Sequence, residues 1–326
     1  MVGYDKDESL TPDQKLIASL FSGVITRAMT NPLDVVKVRA QLEKKAISNP
    51  NRKWFQITRK IIEETGVKSL WRGHQVGQIH SILGVTTQFY VYEVTTRLVD
   101  MNFETGKYSS LVHFLCGVFS GCMAATVVHP LEVIKVRQMI NKEATRNLIE
   151  GAKKVYSTGG ILSFYEGLSA AIVQIGPQVG ISFAVFRLVQ SFMLTLLTRD
   201  CDNREVCQTQ QDHAVNVATA SAIAGSMAGI TSKSLTYPFE LAKKRLQIKT
   251  FPSQGDSMFK CHSLIECLVK TFELEGFKGL FRGFKITIYK AQLSGLVAFT
   301  TYELICYATR QIIGPPTSPP STKKKH

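Results

Sequence analysis

Three acid–base pairs recur in this chain with the same spacing, and each pair follows a proline. In every copy the acid comes two residues after the proline, and the base comes three residues after the acid. Residues three apart in a helix lie on one face. If three such helices met around a pseudo-threefold axis, each acid would face a base of a neighbouring copy. The pattern predicts a ring of ion pairs built from Asp34 and Lys37, Glu132 and Lys135, and Glu240 and Lys243.

The prolines mark a repeat that organises the whole chain of 326 residues. Pro32, Pro130 and Pro238 lie 98 and 108 residues apart. A second motif, an aromatic residue framed by two glycines, follows each proline after about 40 residues and keeps the same period. A fixed period predicts tandem copies of one structural unit, and it disfavours the alternative of three unrelated helix starts after proline. The aromatic residues of the second motif are Trp71, Tyr165 and Phe281.

Each repeat contains two stretches that are long enough to cross a membrane. A hydrocarbon core of about 30 Å needs roughly 20 apolar residues in a helix. Two of the stretches, 16–38 and 284–310, are apolar but interrupted by charged residues, among them Arg27, Lys285 and Lys290. The sequence therefore predicts six transmembrane helices, two per repeat. The four formally uncharged stretches are 73–92, 108–131, 167–186 and 213–232.

Three of the cationic residues within or beside these spans are Arg27, Lys233 and Lys290. A charged group in the middle of a span is costly unless it is paired or faces water, so Lys290 is a candidate ligand contact in a wet cavity. The alternatives are a snorkelling lysine at 290, and local carboxylate partners for Arg27 and Lys233. A soluble solenoid of three helical repeats would have to bury all three cations, which disfavours it.

Small residues four apart precede each repeat proline. This spacing lets helix backbones approach closely in a membrane, where lipid gives no hydrophobic drive for helix pairing. We therefore expect close helix–helix contacts at these positions, which are Ser19 and Gly23, Gly117 and Gly121, and Gly225 and Gly229.

The formal net charge of +14 also suits a nucleic-acid-binding protein, but its distribution argues against that class. Basic residues concentrate after the first, third and fifth spans, whereas the linkers 100–107 and 199–212 are balanced or acidic. This asymmetry is typical of a membrane protein that follows the positive-inside rule, with both termini on the opposite side. The N-terminus has no Arg-rich presequence and no signal peptide, so we expect internal targeting.

No arrangement of residues indicates catalysis or metal binding. The seven cysteines include no CxxC pair and no zinc spacing, so we expect them to be reduced packing residues. Neither a P-loop nor a Ser-His-Asp grouping is present. The sequence therefore predicts a protein that is not an enzyme and that holds no prosthetic group.

These elements, repeated three times in one order, resemble the mitochondrial carrier family over about residues 14–310. The resemblance implies an all-α membrane protein of the mitochondrial inner membrane. Its six transmembrane helices form three tandem pseudo-threefold repeats, with short amphipathic matrix helices, around a central cavity. The implied divisions are an N-terminal tail 1–13, repeats 14–105, 106–200 and 201–310, and a C-terminal tail 311–326.

The resemblance also implies two gates. The predicted ring becomes the matrix gate, in which Asp34 faces Lys135 and the glutamines Gln41 and Gln247 act as braces. Near the ends of the even-numbered spans the family has an acid followed by a base, but the bases are missing from this chain. The outer, cytoplasmic gate is therefore expected to be weak, with Arg187 pairing with Glu93 or Glu303 as its best ionic lock.

The family's substrate contacts fall seven residues after the second glycine of each aromatic motif, and five residues before the prolines. The first set gives His80, Gln174 with its neighbour Ile175, and Lys290. The second set gives Arg27 and Lys233, which point into the cavity in the family geometry.

Within the family, five segments resemble the members that carry thiamine pyrophosphate. This resemblance implies import of thiamine pyrophosphate into the matrix by exchange for nucleotides or thiamine monophosphate, through alternating access. The alternatives are a carrier of another phosphorylated anion, such as a nucleotide or coenzyme A, and a non-exchanging proton-leak protein. It also implies a monomer, with cardiolipin at Gly73, Gly167 and Gly283. The five segments are 1–5, 71–74, 232–238, 243–247 and 290–295.

Overall fold

A computed structural model describes most of the chain. The described residues are 12–42, 53–102, 109–141, 147–202, 210–250 and 261–313. Most of the predicted N-terminal tail and nearly all of the predicted C-terminal tail lie outside them. Five internal segments also lie outside them: 43–52, 103–108, 142–146, 203–209 and 251–260.

The described residues form nine α-helices and contain no strand. Six helices are long: α1 Pro12–Leu42, α3 His74–Asn102, α4 Ser109–Ile140, α6 Leu168–Asp202, α7 Gln210–Leu246 and α9 Phe284–Ile313. Three are short: α2 Lys53–Thr65, α5 Leu148–Gly159 and α8 Leu264–Leu280. The order long, short, long occurs three times, which confirms the predicted all-α fold in three repeats.

The long helices differ in how apolar they are. Judged by length and composition alone, two described segments qualify as membrane spans, Leu111–Ile140 and Ile161–Leu196. Arg27 and Lys290 lower the hydropathy of α1 and α9. Both side chains line a central cavity, so these two charges lie on the inner face of the bundle.

The repeats close into a ring, because the last helix of each repeat packs against the first helix of the next. The most extensive helix contacts are between α3 and α4, between α6 and α7, and between α9 and α1. At the last of these, the Ser22 hydroxyl lies 2.8 Å from the carbonyl oxygen of Ala298 and 2.7 Å from the Thr301 hydroxyl. The six long helices thus form a closed bundle.

The expectation of close helix approach at the small residues was wrong at most positions. A side-chain carbon added at Gly23, Gly117, Gly225 or Gly229 would meet nothing within 4 Å. Only at Gly121, among the glycines of this pattern, does a neighbouring helix come close. The reason is visible at Gly23, which borders the cavity, so the space beside it is open.

The buried core surrounds the segments that follow the prolines. Pro32, Pro130 and Pro238 all lie inside helices, and the helix continues for two to three turns beyond each one. Apolar side chains from these segments pack with α2, α5 and α8, while much of the remaining apolar surface is exposed. Core residues from α1 and α4 include Val35, Val36, Val38, Val133, Val136 and Met139.

Each of two arginines ties one repeat to the next. Arg39 donates from Nε to the carbonyl oxygen of Met139 at 3.4 Å, and Arg137 donates from Nε to that of Gln247 at 3.2 Å. Arg137 also pairs with the Glu166 carboxylate at 2.7 Å. These bonds use carbonyl groups near the ends of α4 and α7 that have no partner within the helix.

The cysteine prediction was wrong for one pair. Cys261 and Cys267 form a disulfide, with Cα atoms 5.2 Å apart, and both side chains are fully buried. The spacing of the two cysteines did not predict the disulfide, because they lie on either side of the start of α8, where the chain changes direction. The described free cysteines are Cys116, Cys122 and Cys306.

The residue before each repeat proline anchors the glycine-framed turn of its own repeat. Asn31 donates from Nδ2 to the carbonyl oxygen of Leu70 at 2.8 Å. The Nε2 atom of His129 lies 2.9 Å from the carbonyl oxygen of Glu166. In the third repeat, the hydroxyl of Tyr237 donates to the carbonyl oxygen of Arg282 at 2.7 Å. Three different side chains therefore anchor the glycine-framed turns of the three repeats.

We expect Tyr237→Phe to lower the free energy of unfolding by about 1–3 kcal/mol, since it strands buried polar groups. The hydroxyl both donates to Arg282 and accepts a hydrogen bond from Gln41 Nε2 at 3.0 Å. Thermal unfolding in detergent measures the effect, with Tyr90→Phe as the control, because Tyr90 is 69 % exposed. Equal unfolding temperatures for the two variants would contradict this prediction.

Candidate functional site

The three acid–base pairs meet where α1, α4 and α7 converge, and each acid binds the base of the next repeat. We call this set the charged ring. All six side chains are largely buried, with 14–19 % of their surface exposed. The ion pairs are Asp34 with Lys135 at 3.6 Å, Glu132 with Lys243 at 2.7 Å, and Glu240 with Lys37 at 2.5 Å.

Two further lysines join the charged ring. Lys244 lies 2.8 Å from Glu132 Oε1, so Glu132 binds one lysine on each oxygen. Lys290, from α9, pairs with the second oxygen of Asp34. Sequence reasoning missed both contacts: Lys244 is only a neighbour of Lys243 in the chain, and the partner of Lys290 lies on another helix.

A cavity of about 480 Å³ lies above the charged ring, between α1, α3 and α9. Its charged lining consists of Arg27, Lys135 and Lys290 with one carboxylate, Asp34. Arg27 also donates to the carbonyl oxygen of Gly77 at 3.0 Å. The surplus of positive charge suits an anionic ligand. The uncharged polar lining includes Thr26, Thr30, Asn31, His74, His80, Ser81 and Ser294.

The predicted contact residues do not all reach this cavity. His80 lines it together with Arg27 and Lys290. On α6, Gln174 donates to the side chain of Gln178 at 3.3 Å, and Ile175 packs beside Gly121 of α4. Lys233 is exposed and lies two helical turns before Glu240 on α7. The structure thus brings Arg27, His80 and Lys290 together at the cavity and leaves Lys233 and the residues of α6 outside its lining.

The two glutamines expected as braces are fully buried. Gln41 donates to the Tyr237 hydroxyl and not to a side chain of the charged ring. Gln247 accepts from Lys244 at 3.2 Å, so it supports the second lysine on Glu132.

At the other end of the bundle, the expected ionic lock is not formed. Glu93 pairs with Arg97 on its own helix at 2.5 Å, where both side chains are exposed. The guanidinium of Arg187 lies 5.0 Å from the ring centroid of Phe183. Glu303 is exposed near the end of α9. This arrangement fits a conformation in which only the charged ring is closed.

In the first two repeats, the second glycine of the aromatic motif is pressed against the backbone of a charged-ring lysine from the next repeat, whereas a Cβ atom at Gly283 would have an ordinary contact of 3.7 Å with such a backbone. A Cβ atom at Gly73 would lie 3.2 Å from the carbonyl oxygen of Lys135, and one at Gly167 would lie 3.0 Å from that of Lys243. Both glycines have φ in the left-handed region, at 71° and 83°. The aromatic motif therefore positions the charged ring through backbone contact.

A comparison with known families agrees with the order of the repeats, the charged ring and the central cavity. The model described as "Mitochondrial carrier protein" matches three segments, at residues 8–102, 106–196 and 215–308. This chain belongs to the mitochondrial carrier family. The carrier is therefore a transport protein of the mitochondrial inner membrane and not an enzyme.

Several relatives of the carrier are similar over almost their full length. The mitochondrial thiamine pyrophosphate carrier of Bos taurus is 33 % identical over 320 residues, which cover 94 % of this chain and 96 % of the relative. The proteins of the same name in Macaca fascicularis and Homo sapiens are 32 % and 31 % identical, with the same coverage.

We expect Gly167→Ala to destabilise the carrier with its charged ring closed. The added carbon combines a strained positive φ with a contact of 3.0 Å to the Lys243 carbonyl oxygen. Thermal unfolding should therefore occur at a lower temperature than in the wild type. Gly229→Ala is the matched control, because a carbon there meets nothing within 4 Å and alanine favours helix. The prediction fails if both variants unfold at the wild-type temperature.

Proposed function

We propose that this carrier imports thiamine pyrophosphate into the matrix, in exchange for nucleotides or thiamine monophosphate, through alternating access. The observation that carries the proposal is the surplus of cations at the closed end of the cavity. Five lysines meet three carboxylates in and around the charged ring. An anion with two to three negative charges offsets that surplus, and a diphosphate is such an anion.

The chemistry of the cavity suits a diphosphate ester with a polar ring system. Arg27 offers a planar fork that matches phosphate oxygens, and Lys290 supplies a mobile point charge. His80 and the hydroxyl groups of the cavity can hydrogen-bond a heterocycle. A volume of about 480 Å³ falls in the ordinary range for a small-molecule site. The names of the similar proteins support thiamine pyrophosphate over other phosphorylated anions.

In the proposal, Lys290 couples binding to opening of the gate. It shares the Asp34 carboxylate with Lys135 and also lines the cavity. A phosphate group that binds Lys290 draws it away from Asp34 and weakens the charged ring. A ligand shifts a conformational equilibrium only through its different affinity for the two states. The contact between Lys290 and Asp34 supplies that difference.

The charged ring is the matrix gate in this proposal, and both termini face the intermembrane space. Glu93, Arg187 and Glu303 form the cytoplasmic gate when the ring opens. Their separation here accords with a state that is open to the intermembrane space. Arg27, His80, Gln174, Ile175, Lys233 and Lys290 are the proposed substrate contacts, and those on α6 and α7 engage the ligand as the helices move.

Uptake of labelled thiamine pyrophosphate into proteoliposomes tests the proposed function. We expect uptake into vesicles loaded with thiamine pyrophosphate, thiamine monophosphate or ATP, and none into empty vesicles. Exchange of labelled nucleotide or coenzyme A without thiamine pyrophosphate would identify a carrier of another anion. Proton flux without exchange of any solute would identify a leak protein.

We expect Lys290→Ala to abolish exchange and to leave the protein folded, because Asp34 keeps Lys135 as a partner. The variant should also lose thermal stabilisation by thiamine pyrophosphate, which follows RT ln(1 + [L]/Kd) in the wild type. Lys285→Ala is the control, since Lys285 is an exposed lysine on the same helix. Undiminished stabilisation by the ligand in Lys290→Ala would refute this role.

We expect Asp34→Lys to cripple exchange, because losing one partner of a buried pair costs about 3–5 kcal/mol. The double variant Asp34→Lys with Lys135→Asp should recover part of the exchange rate. Recovery is partial because the new base at position 34 also faces Lys290. If Lys37→Asp rescued Asp34→Lys and Lys135→Asp did not, the functional pair would lie within one repeat.

A further inference from the structure

His129 is a fully buried histidine with one nitrogen in use and the other without a partner. Its Nε2 atom lies 2.9 Å from the carbonyl oxygen of Glu166. A carbonyl oxygen can only accept, so Nε2 carries the proton and donates it. The Nδ1 atom therefore holds a lone pair. It is buried, has no hydrogen-bond partner and lies 3.9 Å from Glu132 Oε2.

The groups around this imidazole explain why Nδ1 stays unprotonated while the charged ring is closed. Lys243 and Lys244 reach Glu132 from α7 and occupy both of its oxygens. Tyr165 stacks on the imidazole with centroids 6.5 Å apart, and the Glu166 carboxylate binds Arg137. A proton on Nδ1 would add a third cation beside one carboxylate that two lysines already neutralise.

Opening of the charged ring removes both cations from Glu132. Glu240 also loses its partner, but the residue three before it is Tyr237, which cannot become a cation. Asp34 has cations from two helices, Lys135 on α4 and Lys290 on α9. Both cations on Glu132 come from α7, so they leave together when α4 and α7 separate. A carboxylate left without a partner in a partly buried site is costly. His129 precedes Glu132 by three residues on the same helix and therefore moves with it.

We propose that His129 is a proton-binding site that replaces the two lysines when the ring opens. When the ring opens, the solution on that side of the membrane reaches His129, and Nδ1 takes up a proton from it. The imidazolium then becomes the partner of Glu132. The proton returns to the same solution before the lysines bind again. The only bond that forms and breaks is the N–H bond, and no net proton transport results.

The other two repeats show that the structural role of this position does not need histidine. Tyr237 makes the equivalent hydrogen bond in its own repeat, Asn31 bonds a carbonyl two positions earlier in its turn, and neither can take up a proton near neutral pH. His129→Asn therefore keeps a side-chain donor beside the turn and removes the titrating nitrogen. His129→Tyr does the same with the residue type of the third repeat.

The experiment measures exchange in proteoliposomes between about pH 6 and pH 8, the range in which an imidazole titrates. Protonation of His129 favours the matrix-open state, so acidification should lower the apparent KM at the matrix face and raise it at the outer face in the wild type. We expect a several-fold change in the ratio of the two KM values. His129→Asn should retain exchange, with a ratio that changes much less.

Two controls isolate His129 from the other titrating groups. His74, His80 and the phosphates of the substrate are common to the wild type and the variant, so only the difference between their pH profiles is used. His113→Asn replaces an exposed histidine on the same helix and should keep the wild-type profile. His129→Tyr serves as the test variant if His129→Asn does not fold.

This inference rests on the proposed exchange activity, and the two can fail separately. A wild-type protein that exchanges no solute would refute the proposed function. Exchange with the same pH profile in the wild type and in a folded His129 variant would overturn the proton site and leave the proposed function intact. A pH dependence lost equally in His113→Asn would also overturn it.

Discussion

Three carboxylates and five lysines are buried together where α1, α4 and α7 converge, and charges are expensive to remove from water. Their arrangement offsets that cost, because every acid has at least one base within ion-pair distance. Much of the surrounding structure serves to hold these groups in place. Two of the glycine-framed turns press on lysine backbones, and the arginines Arg39 and Arg137 fasten the helix ends just beyond the ring.

The three repeats share one order of helices, but the charges are not distributed equally. Asp34 shares its carboxylate with a cavity residue, Glu132 binds two adjacent lysines of α7, and Glu240 has a single ion-pair partner among the described residues. The cavity is likewise lined mainly from the first and third repeats. A symmetric frame thus carries an asymmetric site, as recognition of an asymmetric solute requires.

The sequence predicted the features that depend on the repeat. The six long helices and the ring of acids and bases follow from a pattern present three times, because independent copies support one another. The three short helices were expected from the resemblance to the family. Contacts between unlike elements escaped prediction. Nothing in the spacing relates Lys290 to Asp34, Glu166 to Arg137 or Cys261 to Cys267, since each contact depends on one residue of one repeat.

The expected role of the small residues failed for a different reason. The spacing of Gly225 and Gly229 indicates which helix surfaces can come together. The structure shows one conformation, in which a Cβ atom added at either position would meet nothing within 4 Å. A sequence motif can serve another conformation of the carrier. The separation of Arg187 from Glu93 and Glu303 has the same explanation.

The contact between α1 and α9 also constrains how the molecule is made. Ser22 and Ala298 are hydrogen-bonded across 276 positions of sequence. The first helix therefore lacks its principal neighbour until the final helix has been synthesised and inserted. Contacts between distant parts of a chain form late, because loop closure must precede them. The bundle can therefore close only after both ends of the chain are in the membrane.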